Sequence, residues 1–269
     1  MADTRWRLRE RYGDWALVTG ASAGIGLEFA RALAREGVSV ALNARRKDRL
    51  ESLAAELHEK YKVETRVVAE DLAAADGADR VAQAVSDLPI AILVNNAGFG
   101  YAGRFDKLDT ERLRAMVRVN CEAPVVLTSR ILPAMVQRRR GAVIIVASAA
   151  GYQPLPLHAV YSATKGFDLL LGEALWGELR GTGVDAIVLS PGPTATEFQQ
   201  VAGESVGPNH GEPAENVVRV TFDALGRKPS VISGWFNWAR ANLVRLAPRS
   251  LVVTIAKQVA AGTTPPEMR

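Results

Sequence analysis

Short, nearly uninterrupted apolar runs alternate with amphipathic runs along most of this chain, and that alternation limits the possible folds more than any other feature. Strand-like runs fall at 15–19, 38–43, 64–69, 90–94, 142–147 and 184–189, and helix-like runs at 24–36, 48–60, 73–87, 110–138 and 158–180. Ala91-Ile92-Leu93-Val94 and Ala142-Val143-Ile144-Ile145-Val146 lack the period-two alternation of a half-exposed strand, so both of their faces must be covered. The expected fold class is α/β, a doubly wound parallel sheet with helices on both faces. A chain of 269 residues fits one such domain, since folds of this class reach about 250 residues without splitting. Ligands of open parallel sheets bind beyond the carboxyl ends of the strands, so the residues that follow each strand are the ones to search.

The first such stretch is Thr19-Gly20-Ala21-Ser22-Ala23-Gly24-Ile25-Gly26. Its glycines let the backbone turn tightly and approach a pyrophosphate, which then rests on the free amides of the following helix. A glycine turn that only reverses the chain is the competing reading, and the strand–loop–helix context argues against it. No Gly-Lys-Ser/Thr follows, so it is not a P-loop. The next strand ends Asn43-Ala44-Arg45-Arg46, with no carboxylate to hold a ribose 2′-hydroxyl. Arg45, alone or with Arg46, offers a guanidinium fork for a 2′-phosphate, and Ser22 can add a hydroxyl; NADP is therefore expected over NAD. The bland alternative is that these arginines solvate the start of a helix. Asp71 and Leu72 follow the third strand and can hold an adenine, by its amino group and its face.

After the fourth strand comes Asn95-Asn96-Ala97-Gly98, small enough to let a ribose lie close. Asn120 interrupts an otherwise apolar helical pattern and needs a buried partner. Pro124, four residues later, cannot donate to the Asn120 carbonyl. Either that carbonyl is free for a water or the helix kinks for packing; spacing does not choose. Ser148 follows the fifth strand, and Tyr161 and Lys165 lie four apart on the next helix, where they share one face. A cation beside a phenol favours phenolate and brings its proton transfer nearer to working pH. The long segment from Pro191 to Pro213, which opens with Pro191-Gly192-Pro193-Thr194, starts on the ligand side and is expected to be a lid.

Together these residues resemble the short-chain dehydrogenase/reductase family, in its compact single-domain, Rossmann-like branch, over residues 14–232. The resemblance implies a catalytic set of Asn120, Ser148, Tyr161 and Lys165. Tyr161 would be general acid/base, Ser148 would position the carbonyl, and Lys165 would bind the nicotinamide ribose. The Asn120 backbone carbonyl would hold a relay water. It further implies cofactor contacts from Gly20, Ser22, Gly24, Ile25, Gly26, Arg45, Asp71, Leu72, Asn95, Ala97, Gly98, Tyr161, Lys165, Pro191, Gly192 and Thr194. The expected reaction is NADPH-dependent interconversion of a carbonyl and a secondary alcohol, with no metal. A non-catalytic NADP-binding redox sensor is the alternative from another class, and it would predict loss of Tyr161 or Lys165. A sugar-nucleotide epimerase or dehydratase would carry a larger C-terminal substrate domain.

Composition narrows the setting. The net charge of +4 is scattered over several helices, except for Arg138-Arg139-Arg140; a nucleic-acid partner is not expected. The single cysteine, Cys121, cannot form an intrachain disulfide, which suggests a reducing, cytoplasmic setting. Residues 1–13 read as an N-terminal extension without a signal-peptide core. Phe99, Tyr101, Tyr152, Pro154, Leu155, Pro156 and Leu157 point to an apolar pocket. Residues 233–269 depart from the family pattern: Trp235, Phe236 and Trp238 are interleaved with Arg240, Arg245 and Arg249. That tail is expected to cover the cleft or join a subunit contact, with a membrane surface as the third possibility. A homodimer through the helices of 110–138 and 158–180 is expected.

Overall fold

The structure, a computed structural model, describes residues 5–204, 211–244 and 246–269. Seven parallel strands, β1 (Trp15–Thr19), β2 (Ser39–Asn43), β3 (Thr65–Val68), β4 (Ile90–Asn95), β5 (Gly141–Val146), β6 (Val184–Ser190) and β7 (Ser230–Ile232), form one sheet in the order β3-β2-β1-β4-β5-β6-β7. Every residue of β4 and β5 is buried, which is what their unbroken apolar runs require. The helices are α1 (Leu8–Tyr12), α2 (Gly24–Arg35), α3 (Lys47–Tyr61), α4 (Gly77–Ala84), α5 (Thr110–Val117), α6 (Ala123–Gln137), α7 (Ala159–Glu178), α8 (Phe198–Ala202), α9 (Ala214–Ala224), α10 (Trp235–Leu243) and α11 (Arg249–Thr263).

Two cores sandwich the sheet. On one face Phe29 and Leu33 of α2, Leu50, Leu53 and Leu57 of α3 and Phe222 of α9 pack on Val18, Val40 and Ile92. On the other Val81 of α4, Leu127 and Met135 of α6 and Leu179 pack on Leu17, Leu93 and Val143. Among the described residues no helix is long and apolar enough to cross a membrane.

The N-terminal stretch does not trail from the domain. Leu8 and Tyr12 are buried in the first core, and the Tyr12 hydroxyl donates to Asp185 at 2.7 Å. The buried Glu36 carboxylate accepts the backbone N–H groups of Trp6 and Leu8, each at 3.2 Å.

The run expected as one helix over 110–138 is interrupted. Asp109 caps α5 by accepting the Arg112 N–H at 2.8 Å, which satisfies one of the amides left free at a helix start. Then Arg118–Glu122 form a π turn, in which the Ala123 N–H donates to the Arg118 carbonyl, and α6 resumes with Pro124 in its first turn. A proline in that place cannot donate to the carbonyl four residues back, so the helix widens by one residue rather than breaking. Asn120 lies in the middle of this widened turn.

The tail forms a strap across one side of the domain. It leaves the sheet at Ser233, whose hydroxyl pairs with Glu212 at 2.5 Å, and passes through α10 and α11. Its end is pinned to the loop after β4: the Arg104 N–H donates to the Met268 carbonyl at 2.7 Å, and Lys107 Nζ donates to the carbonyls of Glu267 and Arg269.

Candidate active site

A cavity of about 1280 Å³ opens along the carboxyl ends of the strands. Its floor is the crevice between β1 and β4, from which the chain connections leave in opposite directions. The Thr19 hydroxyl closes that crevice: it donates to the Val94 carbonyl at 3.2 Å and accepts the N–H groups of Asn96 and Ala97, both at 3.0 Å. The Asn96 amide donates to the Thr19 carbonyl at 2.8 Å. Asn96 thus makes the direct tie to the first loop, while Asn95 bonds Thr128 on α6 at 3.0 Å.

Gly20 has φ +67°, and a Cβ on Gly26 would fall 2.3 Å from the Gly20 carbonyl oxygen. The loop therefore packs against the first turn of α2 closely enough that only glycine fits. Gly20, Ser22, Gly24, Ile25, Asp71, Leu72, Ala97, Gly98, Pro191, Gly192 and Thr194 all line the cavity. Asp71 accepts the Ala73 N–H at 2.9 Å, which fixes its loop.

The arginines divide differently from the expectation centred on Arg45. Arg45 is exposed at the cavity rim, whereas Arg46 donates to Ser22 Oγ at 3.1 Å and pairs with Glu197 at 2.9 Å. Arg49, one helical turn on, pairs with the same carboxylate at 2.8 Å. The two guanidinium groups hold the Glu197 carboxyl below its ordinary range. Ser22 and Arg46 are thus the pair preassembled at this end of the cleft.

Ser148, Tyr161 and Lys165 meet at the other end. Ser148 caps the turn after β5 by accepting the Ala150 N–H at 3.1 Å, and it lines the same cavity as Tyr161. Lys165 is buried; its ammonium donates to the Val146 carbonyl and to Asp168 Oδ2, both at 2.8 Å. Burial raises the Tyr161 hydroxyl above its ordinary value; Lys165 and Ser148 pull it down, and Asp168 and Glu204 push it up. The expected lowering by Lys165 is present but outweighed by burial, and Asp168 offsets the ammonium.

The buried amide Asn120 has the partners it needs. Its Oδ1 accepts the Phe99 N–H at 3.1 Å, and its Nδ2 donates to the Phe99 carbonyl at 3.1 Å and to Thr164 at 3.0 Å. The side chain thus ties the loop after β4 to α7.

Of the apolar pocket residues expected from sequence, Phe99 and Leu155 line the cavity, and Trp235, Phe236, Leu243, Leu251, Ile255 and Val259 of the tail form an outer wall. Tyr101 instead stacks under Arg112, at 4.2 Å to the ring centroid. The segment after β6 lies over the cleft: Phe198 of α8 stacks on Tyr161 at 5.4 Å. Residues 205–210 of the expected lid, and Arg245 of the tail, lie outside the described residues. One polar pair interrupts the wall, His158 with Nε2 3.9 Å from Glu204 Oε1. Burial pushes His158 down and Glu204 up, so both tend to neutrality.

With this geometry the comparisons are specific. The model of the short chain dehydrogenase family matches residues 14–206. The chain belongs to the short chain dehydrogenase family. Very-long-chain 3-oxoacyl-CoA reductase of Homo sapiens is 38% identical over 193 residues, covering 70% of this chain and 62% of that protein. The match thus spans less than two thirds of the reductase. A solved 7beta-hydroxysteroid dehydrogenase superposes with a TM-score of 0.86 at 30% identity, covering 93% of this chain and 98% of that one. A short-chain dehydrogenase from Sphingobium yanoikuyae in complex with NADPH gives a TM-score of 0.79 at 31% identity, covering 88% and 94%.

Sequence reading had overlooked Thr19 and Asn96 as the clamp, Glu197 and Arg49, the His158–Glu204 pair and Asp168. Asp168 and Arg49 carry a local signal, each lying one helical turn beyond Lys165 and Arg46 respectively. Asn120→Ala is expected to leave the partly buried Phe99 amide unpaired and to cost roughly 1–3 kcal/mol, read as a lower urea midpoint at unchanged slope. An unchanged midpoint would mean that Asn120 does not hold this loop.

Proposed function

We propose that this chain is an NADPH-dependent oxidoreductase of the short chain dehydrogenase family that interconverts a carbonyl and a secondary alcohol on a large apolar substrate. The observation that carries the reading is the convergence of Ser148, Tyr161 and Lys165 on one cleft, which also receives the amide end of α2. The close approach of Gly26 to Gly20 suits a pyrophosphate, and the NADPH bound to the related Sphingobium enzyme supports the same cofactor here. Ser22, Arg46 and Arg45 would take the 2′-phosphate, Asp71 and Leu72 the adenine, and Ala97, Gly98, Pro191, Gly192 and Thr194 the nicotinamide end; Asn95, expected among these contacts, is instead buried against Thr128 and does not line the cavity.

The bound cofactor supplies the hydride. Ser148 donates a hydrogen bond to the carbonyl oxygen, and Tyr161 delivers its proton to the same atom. Lys165 would hold the ribose of the bound cofactor, and its ammonium stabilises the phenolate that remains. The backbone carbonyl of Asn120, denied a donor by Pro124, is available to a relay water. Retention of both Tyr161 and Lys165 favours turnover over the sensor alternative. Tyr161→Phe should leave NADPH binding near normal and lower turnover at least about 100-fold; retained turnover removes the reading.

Cofactor choice has its own test. Arg46→Ala should weaken NADPH roughly ten- to a hundredfold relative to NADH, the scale of one charge-assisted bond at about 1.5–3 kcal/mol. Arg45→Asp should reverse the preference if Arg45 shares the phosphate. Titration of both variants with both cofactors decides, and unchanged ratios in both would refute phosphate recognition at this edge.

The apolar wall from α10 and α11 favours bulky substrates such as steroids or long acyl chains over sugars. Ile255→Asp should lower kcat/KM for bulky ketones at least about tenfold, by placing a charge on that wall, with NADPH affinity unchanged. An equal loss for small ketones would argue against the wall as a specificity element. Exposed Val117 on α5, Val125 on α6, and Phe167 and Leu170 on α7 suit a homodimer through these helices, in a cytoplasmic setting, and a light-scattering mass of one chain would refute the dimer. The exposed Trp235, Phe236 and Trp238 leave a membrane-surface contact as the further role of the tail, which co-sedimentation with anionic vesicles would reveal.

A further inference from the structure

Asp168 is buried, 1% exposed, and the reading above gives it no role. It lies one turn beyond Lys165 and holds that ammonium at 2.8 Å by Oδ2, while its buried Oδ1 has no hydrogen-bond partner. Burying a carboxylate is costly, and the Lys165 charge is what compensates it. The packing reason for an acid here is weak, because α7 presents Leu169 and Gly172 to the sheet on the same face and an apolar side chain would fill the position without that cost.

The field of the pair reaches further. Lys165 alone would leave a net positive charge under Tyr161; with Asp168 the buried group is neutral overall. Coulomb interactions in a dry site are several times stronger than in water, so this cancellation matters at the phenol. The titratable groups that face the trio from packed elements are few. Cys121 faces it from the π turn, its thiol pushed up to about 11 by burial and then by Asp168. Tyr152 comes from the turn after β5, and His158 and Glu204 from the mouth of the cleft. None of them supplies a second cation.

We propose that Asp168 is a positioning residue for the reaction: it fixes the Lys165 ammonium and neutralises its field at Tyr161, so that the resting site keeps the phenol protonated and poised to donate to a carbonyl. The inference rests on Tyr161 being the proton donor. Removing the carboxylate leaves the ammonium uncompensated, which favours phenolate. The ascending pH limb of alcohol oxidation and the falling limb of carbonyl reduction both move to lower pH.

The test uses the full chain with Asp168→Asn, which keeps an oxygen for Lys165, and Asp168→Ser, which leaves room for water beside it. Titration of the Tyr161 hydroxyl, read as the tyrosinate absorbance difference from Tyr161→Phe in the same background, needs no turnover. It therefore separates this inference from the assignment of substrate and reaction. The midpoint should fall by about one pH unit or more in whichever variant folds, the kinetic limbs should follow, and Asp168→Glu should restore the original profile. An unshifted midpoint accompanied only by a lower Tm would overturn the proposal and leave Asp168 as a counter-ion for packing.

Discussion

Everything at the carboxyl edge of this sheet depends on how the crevice between β1 and β4 is held. The connections that follow these two strands leave in opposite directions, so neither of them closes the crevice. The Thr19 hydroxyl spans it instead, with one bond given to Val94 and two accepted from Asn96 and Ala97. That clamp fixes the loop after β4 against the glycine loop after β1. The first loop can then keep its left-handed turn at Gly20 and its close contact with Gly26. From the second loop, Phe99 reaches Asn120, and Asn120 reaches Thr164 on the helix that bears Tyr161 and Lys165. The Thr19 hydroxyl, the Asn96 amide and Asn120 thus form one chain of bonds between the two ends of the cleft.

Much of this was legible in the sequence because parallel sheets impose a simple rule on position. A residue just past a strand lies at the ligand edge whatever the tertiary details, and Ser148, Asp71 and Pro191 follow from that alone. Helical periodicity puts Tyr161 and Lys165 on one face, and their roles come from the resemblance to the family. What was not legible needed knowledge of which distant segments meet. Arg45 and Arg46 are equivalent by spacing, and only the positions of Ser22 and Glu197 separate them. Pro124 announced a disturbed helix, either with a carbonyl free for a water or with a kink for packing, and the chain takes a π turn over Arg118–Glu122. Residues 5–12 read as polar and loose because their burial depends on Glu36 and Asp185, far along the chain.

The two ends of the cleft hold their charges in opposite ways. Arg46 and Arg49 share Glu197 at the rim, where all three side chains are more than 40% exposed and such pairs contribute little. A phosphate, carrying more charge and more acceptor oxygens, can replace Glu197 there at small cost. The side chains of Lys165 and Asp168 are 5% and 2% exposed, and nothing from solvent can replace either partner without leaving a buried charge behind. The rim is therefore suited to exchanging anions, and the interior to holding a fixed charge state through each exchange.

The strap of α10 and α11 makes a further division possible. Its two ends are tied to the domain at Ser233 and at the Arg104–Lys107 loop, while its middle carries exposed apolar residues along the cleft. The cofactor-facing glycine loop, the arginines of the rim and the Thr19 clamp all precede it in the chain and bond to one another without it. Substitutions in the wall can therefore change which carbon skeleton fits over Tyr161 while the clamp and the rim keep their own bonds. The sequence departs furthest from the family pattern where the structure can tolerate departure, because among the described residues no buried hydrogen bond of the clamp or of Lys165 passes through the wall.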